Sequence, residues 1–584
     1  MNWLQQIFNN RKDPKPAFYF YQDGKTVQAV NYETLWKEAS KVAAYIASKP
    51  SGTENIIIAF ENSPEFLYSF FGVMLAGHVP VPILPRSIQS DEEYKSYLSQ
   101  IIKSSKANRA IVNVNSESSC NEIKDLKVSV WSKIKMEDCK PITFALNSYD
   151  DEDECYLQYT LTEDETYSVV ATSFGSVKKS VEQFVIGTEM NSSDKVATAM
   201  PLCMDSALLG GLFQTMKCGA EIHIHRQEDV LRNPTQYIHF ISDKKISYLI
   251  ASNKIYKALV DGVMPEQKDG LELMGLRIAM FSSETPSYDV CRRMINYYKQ
   301  WGLRSDVFIP VFGLAEIGLG SLMHPLGFRL KSIQVDAESL AKGSVQVLEE
   351  DQLGISIIST GKIQDLEAVI YNESFDLLDV GKIGKVYIKD GNDYVDTEEV
   401  GFIYQSALFI LGRIDEVISV AEQKFYPQLI ERKISSLHSA PWASLIKSST
   451  LVEINSSRGD KKEIHLTIEV AENKMIPKSE MKEALSLILK DSFSLYIDRV
   501  HIVPVGIVPR GLDQKAKRAQ LARLLKSGAL QSKEKFFYLA AANQSLNKLN
   551  SMARLWFCKQ EERFYNGVRS FQKEKEWVRV GSDI

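Results

Sequence analysis

The 584-residue chain lacks several features that would assign it quickly to a class. It has seven cysteines, an odd number, and no two of them are spaced as Cys-x-x-Cys. That argues against a disulfide framework or a structural zinc site and fits reduced thiols in a cytoplasm. No apolar run reaches the ~20 residues a membrane helix requires. Met1-Asn2-Trp3-Leu4 does not open a signal peptide, so a cytoplasmic protein is expected. Charge of one sign is also missing: 69 Lys and Arg against 74 Asp and Glu leave a formal −5. Such a balance exerts no overall pull toward nucleic acid or a membrane surface. Histidine is scarce, at eight, and His223-Ile224-His225 is the one close pair. It alternates on an expected strand beside Gly219-Ala220 and reads as structural. There is no internal repeat and no long low-complexity segment.

What is present is ordinary globular composition, 44% hydrophobic and 24% charged, in a chain long enough for about three to four domains. The first half alternates helical and strand-like segments. Asn31-Tyr32-Glu33-Thr34-Leu35-Trp36 opens a helix whose apolar positions, Leu35, Val42, Ala43 and Ile46, recur at helical spacing. Asn55-Ile56-Ile57-Ile58-Ala59-Phe60 is a continuous apolar run, as expected of a strand covered on both faces. A helix from Glu65 to Ala76, a strand at Val79–Pro82, and strands at Ile246–Ile250 and Leu276–Phe281 continue the alternation. This predicts α/β layering around largely parallel sheets over residues 1–414. Beyond Gly412-Arg413-Ile414-Asp415-Glu416 the pattern changes. A strand at Glu463–Val470 and a helix from Lys478 to Ser492 predict a small α+β domain over 415–530. Residues 531–584 carry ten Lys/Arg against six Asp/Glu, a net +4. Leu539, Leu546, Leu549, Ala553 and Trp556 fall there at helical spacing. This basic tail is either a helix docked on the body or an amphipathic contact for a partner or membrane surface.

The most informative stretch is Leu157-Gln158-Tyr159-Thr160, followed by Leu161, Thr162, Glu163, Asp164, Glu165, Thr166, Tyr167 and Ser168. Its first four residues resemble the opening of the phosphate loop of fatty acyl-AMP ligases, Leu-Gln-Tyr-Thr-Ser-Gly-Ser-Thr-Gly-x-Pro-Lys-Gly. Glycine-rich loops bind phosphate because bare backbone N–H groups approach closely and point inward. Here the glycines and hydroxyls are replaced by a run with three carboxylates, and Ser168 stands where the family has lysine. A like-charge pair about 4 Å apart costs roughly 4 kcal/mol at an effective dielectric near 20. The alternative is an acidic surface turn with no phosphate ancestry, like the exposed run Asp150-Asp151-Glu152-Asp153-Glu154 just before it.

Further segments resemble the adenylate-forming superfamily (acyl-CoA synthetases, peptide-synthetase adenylation domains, luciferases), and within it the fatty acyl-AMP ligase branch, over residues 1–525. Phe71 to Pro82 is similar to a segment ending in Ala-Gly-x-x-x-Val-Pro. Ser282-Ser283-Glu284 stands for Gly-Ala-Glu beside the adenine. Phe312-Gly313-Leu314-Ala315-Glu316 looks like Tyr-Gly-Leu-Ala-Glu, which implies that Phe312 stacks on adenine and Glu316 holds the metal. Val335 to Gly343 and Ile358 to Gly361 resemble the fatty acyl-AMP branch in particular. Gly412 to Glu416 resembles the hinge Gly-Arg-x-Lys-Asp, and Phe425-Tyr426-Pro427-Gln428-Leu429-Ile430-Glu431 resembles His-Tyr-Pro-Gln-Asp-Ile-Glu. Pro509 to Arg518 matches Pro-Lys-Thr-x-Ser-Gly-Lys-x-x-Arg in spacing, with Lys515 at the catalytic lysine.

The departures form a pattern. Pro201-Leu202-Cys203-Met204-Asp205-Ser206-Ala207 replaces Pro-Pro-His-His-Asp-Met-Gly, so Met204 takes the histidine's place and only Asp205 survives. Thr397-Glu398-Glu399 replaces Thr-Gly-Asp, leaving Glu399 as the ribose ligand. Between Tyr387 and Thr397 the family's longer excursion is missing. Features retained cluster around adenosine and Lys515; features lost cluster around the departing pyrophosphate.

Adenylation sets a carboxylate against the α-phosphate of ATP while Mg²⁺ and fixed cations gather the pyrophosphate, so catalysis is positioning plus charge stabilisation. The resemblance implies Lys515, Glu316 and Arg413 as catalytic groups. It implies Ser282, Ser283, Glu284, Phe312, Gly313, Glu399 and Asp205 around the nucleotide, and Thr160, Glu163, Asp164, Glu165 and Ser168 in a degraded phosphate loop. Three functions remain open. One is an ATP-impaired member that binds an acyl chain, an acyl-adenylate or a carrier-bound acyl group. Another is an active ligase using ATP and Mg²⁺ and passing the acyl group to an acyl carrier protein. The third is a non-catalytic partner in an acyl-processing assembly, with no cofactor.

Overall fold

The computed structural model describes residues 14–530 except 49–53, 87–90, 135–138, 140–148, 162–165, 282–285, 315–317, 350–351, 353, 363–367, 391–392, 421, 438–439, 441, 456–461, 471–477 and 512–514. Glu163, Asp164, Glu165, Ser282, Ser283, Glu284, Glu316 and the tail 531–584 therefore lie outside the described residues.

The fold is mixed α/β, a large N-terminal assembly of layered sheets followed by a small α+β unit. The expected early elements are present. Asn31 is extended and its side chain accepts from the Thr34 N–H at 2.8 Å, starting the helix Tyr32–Ala47. The cap satisfies one of the orphan donors of the first turn. Leu35, Ala39, Val42, Ala43 and Ile46 are the buried stripe of that helix. Strand Asn55–Ala59 lies inside a four-stranded parallel sheet, between Val79–Ile83 and Arg109–Val112. Val79–Ile83 carries Pro80 and Pro82, which a ladder tolerates because this strand is at the sheet's edge.

An eight-stranded sheet forms the centre of the body. Its inner strands, Lys195–Thr198, Glu221–His225, Tyr248–Ala251 and Ile278–Phe281, are parallel to their neighbours. They are almost wholly buried, as parallel strands under helices must be, and Tyr248–Ala251 and Ile278–Phe281 are the most apolar of them. His223 and His225 are both on Glu221–His225, buried and stacked on Tyr19 and Tyr21. Burial pulls their pKa values down, to about 4 and about 3. They are neutral core residues, and no group of three His, Cys, Asp or Glu is placed to hold a metal among the described residues.

The strands that carry the site are labelled in chain order. β1 (Glu154–Leu161) and β2 (Tyr167–Ser173) form an antiparallel hairpin. β3 (Phe308–Leu314) and β4 (Gly318–Met323) close one edge of the large sheet. β5 (Gly384–Asp390), β6 (Asp393–Tyr404) and β7 (Ala407–Arg413) belong to a five-stranded antiparallel sheet. β7 ends at Arg413, and a short 3₁₀ turn, Ile414–Glu416, leads out of that sheet. The small unit follows with helix α1 (Pro427–Ser435), a sheet of β8 (Ile446–Asn455), β9 (Lys462–Val470) and β10 (Arg499–Pro504), and helices α2 (Lys478–Phe493) and α3 (Arg518–Lys526). One apolar cluster runs across the turn at 414–416. It joins Val335, Leu340 and Leu411 to Phe425, Tyr426, Leu429 and Phe493. Among the described residues no helix is long and apolar enough to cross a membrane.

Candidate functional site

The site is best built outward from Glu399. It lies on β6 directly opposite Arg413 of β7. Its backbone N–H donates to the Thr397 hydroxyl at 3.2 Å, and that hydroxyl donates to the Val386 carbonyl at 2.8 Å. The carboxyl oxygen Oε2 is sealed from solvent and makes no hydrogen bond. Burial pushes the Glu399 carboxyl up to about 7, against the pull of Lys515 and Arg413. An acid in that range can accept hydroxyl donors or hold a proton near neutrality.

Two carboxylates engage one edge of the Arg413 guanidinium. Its Nε meets Asp415 Oδ1 at 2.9 Å and its Nη2 meets Glu398 Oε2 at 3.0 Å. Burial works against its charge, but Asp415, Glu398 and Glu399 outweigh it and hold its pKa above the usual value. Glu398 has a left-handed backbone, φ 56°. The residue family tolerates such a φ poorly, whereas glycine adopts it freely. This is where the resemblance has the glycine of Thr-Gly-Asp.

Lys515 is solvent-exposed on a loop that closes on itself. The Gly511 N–H donates to the Lys515 carbonyl at 2.7 Å, and the Lys517 N–H donates to the Pro509 carbonyl at 2.8 Å. Both ends of the loop are anchored by charge. At the first end Glu469 of β9, only 2% exposed, takes three backbone N–H donors: Gly506 at 2.8 Å, Ile507 at 3.1 Å and Val508 at 3.1 Å. Arg510 Nη2 and the Ser448 hydroxyl bond its other oxygen, the arginine at 2.8 Å. Burial raises the pKa of Glu469, yet these donors bring it below the ordinary carboxylate value. At the second end Arg518 meets Glu416 at 3.2 Å, Glu431 Oε2 at 3.1 Å and the Leu451 carbonyl at 3.0 Å. The loop also touches the body: Lys517 Nζ is 5.0 Å from the ring centroid of Tyr167, at the start of β2.

That contact connects the loop to the hairpin predicted to face phosphate. Thr160 is exposed and pairs in register with Ser168. The Ser168 and Ser104 hydroxyls are 3.1 Å apart. Upstream on β1 the buried Tyr156 donates its hydroxyl to Asp205 Oδ1 at 2.7 Å, and the Gln158 side chain donates to the Cys203 carbonyl at 3.2 Å. The Pro201–Ala207 segment is thus held against the hairpin, while Met204 packs on the main core. Phe312 is half-buried on β3, packed on the cluster of Leu322, Val386, Leu408 and Ile410. Gly313 follows at a register shift in the β3–β4 pairing.

Of the predicted residues, then, Glu399, Arg413 and Lys515 come together, and the hairpin with Thr160 and Ser168 reaches them through Lys517. Asp205 is secured to the same hairpin. Sequence reasoning missed Tyr156, Glu469 and the role of Glu398. Only Glu398 carried a signal, as an acid in a glycine position.

The Lys515 loop, the β6–β7 pair of Glu399 and Arg413, and the β1–β2 hairpin thus lie together in a mixed α/β fold. The AMP-binding enzyme family model matches residues 5–392, about two thirds of the chain, and the chain belongs to that family. It is 22% identical to the medium-chain-fatty-acid acyl-carrier-protein ligase JamA of Moorena producens, over 88% of this chain and 93% of that protein. It is 20% identical to a probable long-chain-fatty-acid AMP ligase, FadD30, of Mycobacterium tuberculosis, over 88% and 95%. Among solved structures it shares the fold of a fatty acyl-adenylate ligase from work on the E. coli and L. pneumophila enzymes. That match has a TM-score of 0.80 at 18% identity and covers 90% of this chain and 98% of that one. The L. pneumophila ligase in complex with acyl adenylate and pyrophosphate matches with a TM-score of 0.66 at 18% identity, covering 89% and 97%.

Proposed function

We propose that this chain is a divergent fatty acyl-AMP ligase-like protein that binds an acyl-adenylate, an acyl chain or a carrier-bound acyl group and is impaired in making the adenylate from ATP. The observation that carries this reading is position 168. Where the family's phosphate loop ends in lysine, Ser168 sits in the β1–β2 ladder with its hydroxyl beside Ser104. A cation lost from the pyrophosphate side removes charge stabilisation where adenylation depends on it most. Met204, packed on the core in the place of a polar histidine, points the same way. The adenosine side is better equipped. The unpartnered Oε2 of Glu399 suits the hydroxyl donors of a ribose, and the half-buried Phe312 ring suits an adenine face. The three acidic residues 163–165 belong to this reading through their sequence alone.

A second reading, an active ligase, is favoured by Lys515. Its loop is anchored at both ends and its charge acts on Glu399. In that case ATP is the co-substrate, Mg²⁺ supplies charge neutralisation at the triphosphate with Glu316 as its protein ligand, and an acyl carrier protein is the acceptor. In either reading the unit 415–530 moves on the body 1–414 about a hinge near Asp415.

Calorimetry with ATP, AMP, fatty acids and a non-hydrolysable acyl-adenylate, each with Mg²⁺, separates the readings. The proposed function predicts that the acyl-adenylate analogue and AMP bind more tightly than ATP. Low-micromolar affinity for Mg-ATP would select the active ligase.

A further inference from the structure

We propose that Glu398 and Asp415 act as an internal anion that occupies Arg413 and sets the site against ligands carrying more phosphate charge. This rests on the proposed function above and names the residues that determine its ligand preference.

Both carboxylates stand where the chain departs from the family pattern. Glu398 replaces the glycine of Thr-Gly-Asp, and Asp415 replaces the lysine of Gly-Arg-x-Lys-Asp. The two departures are seventeen positions apart in sequence and converge on one guanidinium, at 3.0 Å from Glu398 and 2.9 Å from Asp415. Glu398 reaches Arg413 from a backbone at φ 56°, and its own N–H is held by Asp396 Oδ1 at 2.8 Å. A non-glycine residue persists at such a φ only where its surroundings over-determine it. Here the ion pair and the Asp396 bond do so. The third neighbour of Arg413, Glu399, adds to the same negative field.

The charge balance explains which ligand the arrangement disfavours. The Nε and Nη2 edge of the guanidinium is taken by the two carboxylates, so an incoming phosphate must displace one of them or approach the remaining donors beside negative charge already in place. The penalty grows with ligand charge. An acyl-adenylate phosphate, a ribose ester on one side and an acyl anhydride on the other, carries one negative charge, AMP carries nearly two and ATP more. Adenosine carries none and meets the same adenine and ribose surfaces. The pair thus discriminates by charge and leaves nucleoside recognition alone.

The test is calorimetry on the full-length protein and on Glu398→Gln, Asp415→Asn and the double variant, each titrated with adenosine, AMP and ADP. Removing one carboxylate should raise AMP affinity about tenfold, the double variant more, and ADP should gain more than AMP; adenosine should stay unchanged. The gains should shrink at high salt. Equal gains for adenosine and AMP, or no gain for either nucleotide, would overturn the proposal. Glu398, 48% exposed, can lose its charge without opening the core, so that single variant decides the matter even if the double variant melts early. Tight Mg-ATP binding by the unaltered protein would instead count against the proposed function, whatever the variants do. A thermal melt shifted with no change in any affinity would mark the pair as a hinge brace and reject the inference.

Discussion

Two arginines near the turn at 414–416 make the same kind of contact in different settings. Arg518 is 16% exposed, bridges Glu416 and Glu431, and also donates to the Leu451 carbonyl. Arg413 is 21% exposed and bridges Glu398 and Asp415, one of which is 48% exposed and sits on a left-handed backbone. At Arg518 every partner lies on a relaxed element and the group links strand β8, helix α1 and the turn at 414–416. That is architecture. At Arg413 one partner adopts a backbone suited to glycine, and the neighbouring Glu399 has an oxygen with no partner. Backbone strain at one partner is what separates Arg413 from Arg518, since a buried polar atom without a partner is found at both: Oε2 of Glu399 beside the first and Nε of the second.

This contrast can be broken most forcefully at Arg518. Arg518→Met strands two partly buried carboxylates and should cost about 3–5 kcal/mol, read as a fall in the urea midpoint. A loss below about 1 kcal/mol would place Arg518 with ordinary surface pairs. Next comes Glu469→Gln, which weakens a carboxylate held by three backbone N–H groups and Arg510. About 2 kcal/mol should be lost, with faster hydrogen exchange at Gly506, Ile507 and Val508. Because the folded pKa of Glu469 is depressed, its contribution is present above the unfolded carboxylate value and is lost as pH falls through the folded one. The Glu469→Gln protein should therefore show a flatter acid limb.

Glu399 has the opposite sign. Its folded pKa is raised from 4.5 to about 7, so the folded state holds a proton that the unfolded chain releases. Stability from this group is present below about 4.5 and is lost as pH rises toward about 7. Glu399→Gln should remove that slope, a gain on the order of 2 kcal/mol above pH 7 in the unliganded protein, together with weaker nucleoside binding. The smallest effect is expected at Lys517. Lys517→Gln removes a cation over Tyr167 and should cost about 0.5–1 kcal/mol, with coupling to Tyr167→Leu in a double-mutant cycle. Full additivity would mean that the ring and the ammonium do not interact.

Much of the body was legible because its elements announce themselves locally. The Ile56–Ile58 run and the three-and-four spacing of Leu35, Val42 and Ile46 after Asn31 predict structures that form where expected. Strand Lys462–Val470 and helix Lys478–Phe493 follow the change of pattern after Arg413. The meeting of Glu399, Arg413 and Lys515 came through motif order, since nothing local brings residues 399 and 515 together. What escaped was pairing across long separations between residues with no periodic signature. Glu469 and Arg510 are 41 positions apart, Tyr156 and Asp205 are 49 apart, and Arg518 and Glu431 are 87 apart. Each is an ordinary polar residue in sequence and gains its meaning from a buried partner. Glu398 is the intermediate case: the missing glycine was visible, but its capture of Arg413 needed the backbone.

The most direct measurement of the central claim is ATP–pyrophosphate exchange by the full-length protein with Mg²⁺ and a series of fatty acids, run beside acyl-adenylate binding on the same preparation. An ATP-impaired protein shows exchange at background while the acyl-adenylate analogue binds saturably. Robust, fatty-acid-dependent exchange would contradict it and establish a working ligase despite Ser168 and Met204.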